Sequence, residues 1–200
     1  YMYDDGSAIS YCPKSDYVYP FDFRGVIQHE AGGHGFGKLG DECIYHNAFI
    51  DACGCSCCGH TAELAAARAK GWYENLSLSA KPNEVPWSHL LEYDKYKGLV
   101  DIYEGGFMHS RGVYRSESNS CMNNDIPYYN TISRESIVRR IKAYAGEEYN
   151  FEDFMAKDIV NSISKSAAVR KFGNSIYPEI GDAHHGPVFM KKHSKFDTEN

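Results

Sequence analysis

The stretch Ile27–Glu42, IQHEAGGHGFGKLGDE, decides how the rest of the chain is read. His29 and His34 stand five positions apart, Glu30 follows the first directly, and Asp41 and Glu42 close the segment. In a regular α-helix each residue advances about 100°, so side chains at i and i+4 share a face and can reach one ion. At i and i+5 they diverge by roughly 140°. A regular helix therefore cannot bring both imidazoles to one metal. A π-type insertion can, because the extra residue restores the facing that i+4 would give. Such insertions recur at functional sites, and Gly32 and Gly33 carry no side chain to obstruct one.

Five of the nine residues 32–40 are glycine. Each costs a helix interior on the order of 1 kcal/mol relative to alanine, so the segment is intrinsically a poor helix. A structural zinc contributes on the order of 10 kcal/mol in small peptides, more than that deficit. A flexible loop with solvated histidines would leave the HE pair, the second histidine and the DE pair unexplained together. Zinc prefers imidazole nitrogen and carboxylate oxygen, and a catalytic zinc keeps one position for water. His29 and His34 are thus two expected ligands. Glu30 is the expected general base for a metal-activated water. The third ligand must lie beyond a turn: Asp41 is the first choice, with Glu42 and His46 as alternatives.

HEAGGHGFGKLGDE resembles the zinc motif of the bacterial IgA-peptidase family of metalloendopeptidases, relatives of the metzincins. GWYENLSLSAKPNEVPW, YEGGFMHSRGVYRSESNSCMN and ISRESIVRRI resemble that family's downstream blocks, so the likeness runs from about Asp22 to Ile141. It implies a zinc endopeptidase with His29, His34 and Asp41 as ligands, Glu30 as catalyst and a protein or peptide as substrate. It also implies that SCMN carries a methionine turn, with Met122 beneath the metal. Metzincins often place a tyrosine two residues after that methionine; this chain has Asn124. Tyr128 and Tyr129 are expected to be packing residues, an oxyanion donor being the alternative.

The expected architecture is α+β, a single metallopeptidase catalytic domain over 1–200. It comprises largely the active-site helix and C-terminal subdomain of a metzincin-like fold. Too little chain precedes the helix for the twisted sheet such domains place there, so that sheet is expected in an upstream segment of a longer protein. Tyr1–Tyr11 would be its last edge strand. An apolar fraction of 42% supports a buried core, and a net charge of −6 without a basic run argues against a nucleic-acid partner. No apolar run is long enough to cross a bilayer. Seven cysteines, four of them in CGCSCCGH, fit a secreted or cell-envelope protein with disulfides, the odd count leaving at least one thiol unpaired within the chain. A second metal site on Cys53–Cys58 and His60 is the weaker alternative.

Helices are expected through FRGVIQHEAGGH capped near Asp22, over TAELAAARAKGW capped by Thr61 and stopped by Gly71, over TISRESIVRRIKAYAGEEY, and within 151–172. A strand is expected at LVDIY. His60, His89 and His109 read as surface or hydrogen-bonded structural histidines, Trp72 and Trp87 as core anchors, and Asn75 as a glycosylation acceptor in NLS. Two rivals to the protease remain: a binding module merely stabilised by zinc and disulfides, and a metal-dependent hydrolase of a non-protein amide.

Overall fold

The helix that carries both histidines begins as α1, Phe23–Ile27, and continues without a break as a π-helix over Gln28–Gly37. The extra residue is thus spread over a whole wide-turn segment rather than confined to one bulge. The computed structural model describes Ser10, Cys12 and residues 23–52 and 59–160. Within these the chain is α+β, with a small mixed sheet and several helices. The expected cap Asp22, most of the expected edge strand Tyr1–Tyr11, Cys53–Cys58 and residues 161–200 lie outside the described residues.

Three glycines in and before the π-helix allow close approach rather than flexibility. A Cβ at Gly33 would lie 2.9 Å from Met122 Cε and nearer still to its sulfur, and one at Gly32 would strike the Tyr129 hydroxyl. Gly25 lies against the Asp125 carbonyl in the same way. After Gly37 the chain reverses through Lys38 in the left-handed region (φ 54°), and the Leu39 amide returns to the Gly33 carbonyl at 3.0 Å.

Residues 41–43 then enter β1 (Ile44–Phe49), clamped from both sides. The remaining strands are β2 (Leu76–Ser77), β3 (Tyr103–Gly106) and β4 (Met108–Arg115). β4 pairs with all three others, parallel to β1 and antiparallel to β2 and β3. At the tip of the β3–β4 hairpin, the Phe107 and Met108 amides donate to the Asp41 and Cys43 carbonyls, at 2.8 and 2.9 Å. From the other side Glu42 N–H donates to the Met122 carbonyl at 2.8 Å. Met122 belongs to α3 (Cys121–Asn124), a single turn capped by Ser120.

Helix α2 runs over His60–Ala69, and its start corrects the Thr61 cap. Asp51, from the preceding loop, accepts from the amides of Gly59 and Thr61 at 2.8 and 3.2 Å. Gly71 follows in the left-handed region (φ 71°), as its stop role requires. The long helix α4, Thr131–Ala145, begins at Asn130 and ends at Gly146 (φ 69°). The spacing of Ile132, Ile137, Val138 and Ile141 predicts an apolar face, and the structure follows it only in part. Ile132 is buried, but Ile141 is half exposed, and Thr131, Ser133, Glu135 and Ser136 are buried instead. Glu135 accepts from His89, Arg139 and Tyr149 at 2.7, 2.5 and 2.8 Å, so a polar network docks this helix. Helix α5, Phe151–Lys157, follows, with Phe154 buried.

LVDIY is mostly not strand: Leu99 and Val100 are buried, and β3 starts only at Tyr103. One core gathers Val85, Trp87, Leu90, Tyr96, Val100 and Ile132; a second gathers Ile50, Leu64, Leu76, Phe107 and Val113. Trp87 anchors the first, while Trp72 is only half buried. Asn75 is not available to a glycan in the fold. It is fully buried, its amide donating to Gly40 O and Glu42 Oε1 (2.8 Å each) while its oxygen accepts from Gly40 N–H.

Candidate metal centre

His29 Nε2 and His34 Nε2 are 3.1 Å apart, and Asp41 Oδ1 lies 3.0 Å from the first and 3.3 Å from the second. The i→i+5 turn brings His34 back over His29, and the reversal at Lys38 brings Asp41 to the same point. The other ring nitrogens identify the tautomer. His29 Nδ1 lies 2.9 Å from the Cys121 carbonyl and 2.8 Å from Asp125 Oδ1; His34 Nδ1 lies 2.7 Å from the Leu39 carbonyl. Carbonyl oxygens only accept, so both Nδ1 atoms carry hydrogen. In the neutral rings both Nε2 atoms then present lone pairs, facing each other and a carboxylate oxygen.

Three converging lone pairs repel unless a cation lies between them. Zinc–nitrogen bonds of 2.0–2.1 Å at a tetrahedral angle place ligand atoms roughly 3.3 Å apart, so the three separations suit an ion of that size. His29, His34 and Asp41 thus form a candidate metal-binding triad. Without a metal, a proton meets the same demand. Burial opposes charging His29, yet the Asp125 and Asp41 carboxylates raise its pKa well above the usual imidazole value. Burial also works against ionising Asp41, but the two histidines hold its carboxyl far below the ordinary range.

Neither alternative third ligand joins this cluster. Glu42 is buried and turned away: one carboxylate oxygen accepts from Asn75 and Asn130 at 2.8 and 2.6 Å, the other from Ser120 Oγ at 2.5 Å. Burial pushes its carboxyl up against those donors. His46 sits exposed on β1, beside His109 of β4. Glu30 is half-buried, on the same π-helix as both histidines. Met122 is fully buried against Gly33, directly under the helix between the two imidazoles in sequence. Tyr128 donates to Glu117 at 2.6 Å, and Tyr129 donates to the Gln28 carbonyl, so both hydroxyls are engaged in packing contacts.

Asp125 is the residue of the candidate site that the sequence did not single out. It stands in the left-handed region (φ 51°) just after α3 and orients His29 from behind. Only its place three residues after Met122 in SCMNND marked it. Cys12 lies within electrostatic reach of the site: burial and then Glu30 push its thiol up, while His29 opposes them. Cys12, Cys43 and Cys121 are free thiols, so the described residues contain no disulfide. No described helix is long and apolar enough to cross a membrane. The chain matches no protein-family model, and no curated protein matches it significantly.

Proposed function

We propose that the chain is a zinc-dependent metalloendopeptidase with a metzincin-like catalytic centre, secreted or held in a bacterial cell envelope. The observation that carries this reading is the convergence of three lone pairs, from His29, His34 and Asp41, with a carboxylate next to the first ligand. Bound zinc supplies a polarised water and a positive charge for the oxyanion that develops at the scissile carbonyl. Glu30 takes the proton of the attacking water and returns it to the departing amine nitrogen, so no covalent intermediate is needed. Asp125 and the Cys121 carbonyl hold the His29 ring in the tautomer that leaves Nε2 free to ligate. Met122 supports the two ligating turns from beneath.

Glu30→Gln tests the reading. It should lower hydrolysis of a denatured-protein or peptide substrate by roughly 10²–10⁴-fold while zinc per chain stays unchanged. Absence of hydrolysis by the zinc-loaded wild-type chain would favour a binding module, unchanged hydrolysis in the variant would remove Glu30 from the chemistry, and zinc loss equal to the activity loss would make Glu30 a structural residue.

A further inference from the structure

We propose that His46, His60 and His109 form a second transition-metal site, distinct from the triad, which fastens the start of α2 to the sheet. The three histidines come from three elements: β1, the first residue of α2, and β4. His60 and His109 are 5% and 0% exposed, and His60 Nδ1 lies 2.9 Å from His109 Nε2. Their geometry repeats that of His29 and His34. The rings of each pair meet at 71°, with centroids 5.2 Å apart here and 4.8 Å apart in the triad. His46 is the register partner of His109 on the parallel neighbour strand, with ring centroids 5.7 Å apart. Being exposed, it can turn toward the pair without displacing core.

A hydrogen bond between the two buried rings does not account for the arrangement. One such bond contributes about 1 kcal/mol net, and a buried polar atom left unpaired costs about 1–3 kcal/mol. His109 Nδ1 is buried with no hydrogen-bond partner, so in either tautomer one side of that ring stays unsatisfied. Metal at Nε2 leaves Nδ1–H where it is but replaces the single hydrogen bond with a stronger interaction, a whole structural zinc site contributing on the order of 10 kcal/mol, which outweighs that cost. Burial, with mutual repulsion among the rings, lowers the pKa of both His60 and His109, which keeps them in the neutral form that ligates. Imidazole donors suit zinc, copper or nickel, and zinc ions are the probe for the test.

The experiment counts zinc bound per chain after chelation and dialysis against micromolar zinc, with circular dichroism as the check on folding. The His29→Ala/His34→Ala double variant, which lacks the triad, should still bind one zinc. Adding His60→Gln should remove it, and adding the exposed-site change His46→Ala should weaken it at least tenfold. A folded double variant with no zinc would overturn the proposal, as would zinc that survives both additions. If His60→Gln prevents folding, the wild-type chain decides: anomalous density at the zinc edge between His60 Nδ1 and His109 Nε2 is expected, and none there refutes the site. Failure of the triad to bind zinc would leave this count unaltered, so the two sites stand or fall separately.

Discussion

Replacing Gly25 by alanine should damage the metal centre from behind, although Gly25 touches no ligand. A Cβ there would lie 2.9 Å from the Asp125 carbonyl carbon and closer still to its oxygen. Ordinary contact begins near 3.4 Å and the oxygen, the closer atom, sets the displacement, so the Asp125 backbone must retreat by well over half an ångström. Two effects oppose each other. Alanine favours the helix over glycine by about 1 kcal/mol. Overpacking that shifts backbone costs about 1–3 kcal/mol, and a backbone carbonyl, which cannot rotate aside, belongs at the upper end. The net loss is about 2 kcal/mol, or a fall of roughly 4–8 °C in Tm for a chain of this size. The same retreat stretches the contacts from His29 Nδ1 to Cys121 and Asp125, now 2.9 and 2.8 Å, beyond hydrogen-bond range. Losing such partners typically weakens metal affinity by about 10–100-fold. Calorimetric melting of the metal-free variant and zinc competition against a chromophoric chelator measure both quantities. A variant that melts at or above wild type with the same zinc affinity would refute the coupling between Gly25, Asp125 and His29.

Asp125→Asn keeps the left-handed backbone tolerable but removes the charge behind His29; chelator competition should show zinc affinity about tenfold lower. Glu42→Ala leaves Asn75, Asn130 and Ser120 without their shared acceptor and should cost about 4 kcal/mol in urea unfolding; a near-neutral result would contradict its structural role. Glu135 supplies the pH dependence. Burial raises its carboxyl, but the His89 hydrogen bond and the Arg139 charge outweigh this and lower it below the ordinary value. Its stabilisation is therefore complete above the unfolded value near pH 4.3 and lost as pH falls through the lowered native one. Glu135→Gln should cost about 2 kcal/mol at pH 7, less than a fully buried pair because Arg139 and His89 are partly exposed. Urea titrations of variant and wild type should converge in acid; a constant gap would exclude the ion pair as the cause.

The π-helix was legible because it follows from spacing alone: two histidines at i and i+5 can meet one ion only if the turn is wide. Asp41 was legible for a similar reason, being the first carboxylate past a glycine-rich reversal. Helix α4 was legible in the spacing of Ile132, Ile137, Val138 and Ile141 and in Gly146 as its end, yet its Asn130 cap and its buried polar face were not, since Glu135 and Ser136 are buried by partners that no periodicity reveals. What escaped the sequence is long-range. His29 meets the Cys121 carbonyl across 92 positions, and Glu42 meets Asn130 across 88. Glycines 32 and 33 read as room for the wide turn; together with Gly25 they are also clearance for Tyr129, Met122 and Asp125, side chains or carbonyls about a hundred positions away.

The burial of Asn75 bears on how the protein can be made. Oligosaccharide transfer in a eukaryotic secretory pathway acts on NLS while the nascent chain is still extended, and it consumes the amide nitrogen that bridges Gly40 and Glu42. A sugar at that nitrogen has no room beside a side chain with no exposed surface. Yeast or mammalian secretion would thus trap the polypeptide before it closes, whereas a bacterial host, which leaves the sequon bare, would not.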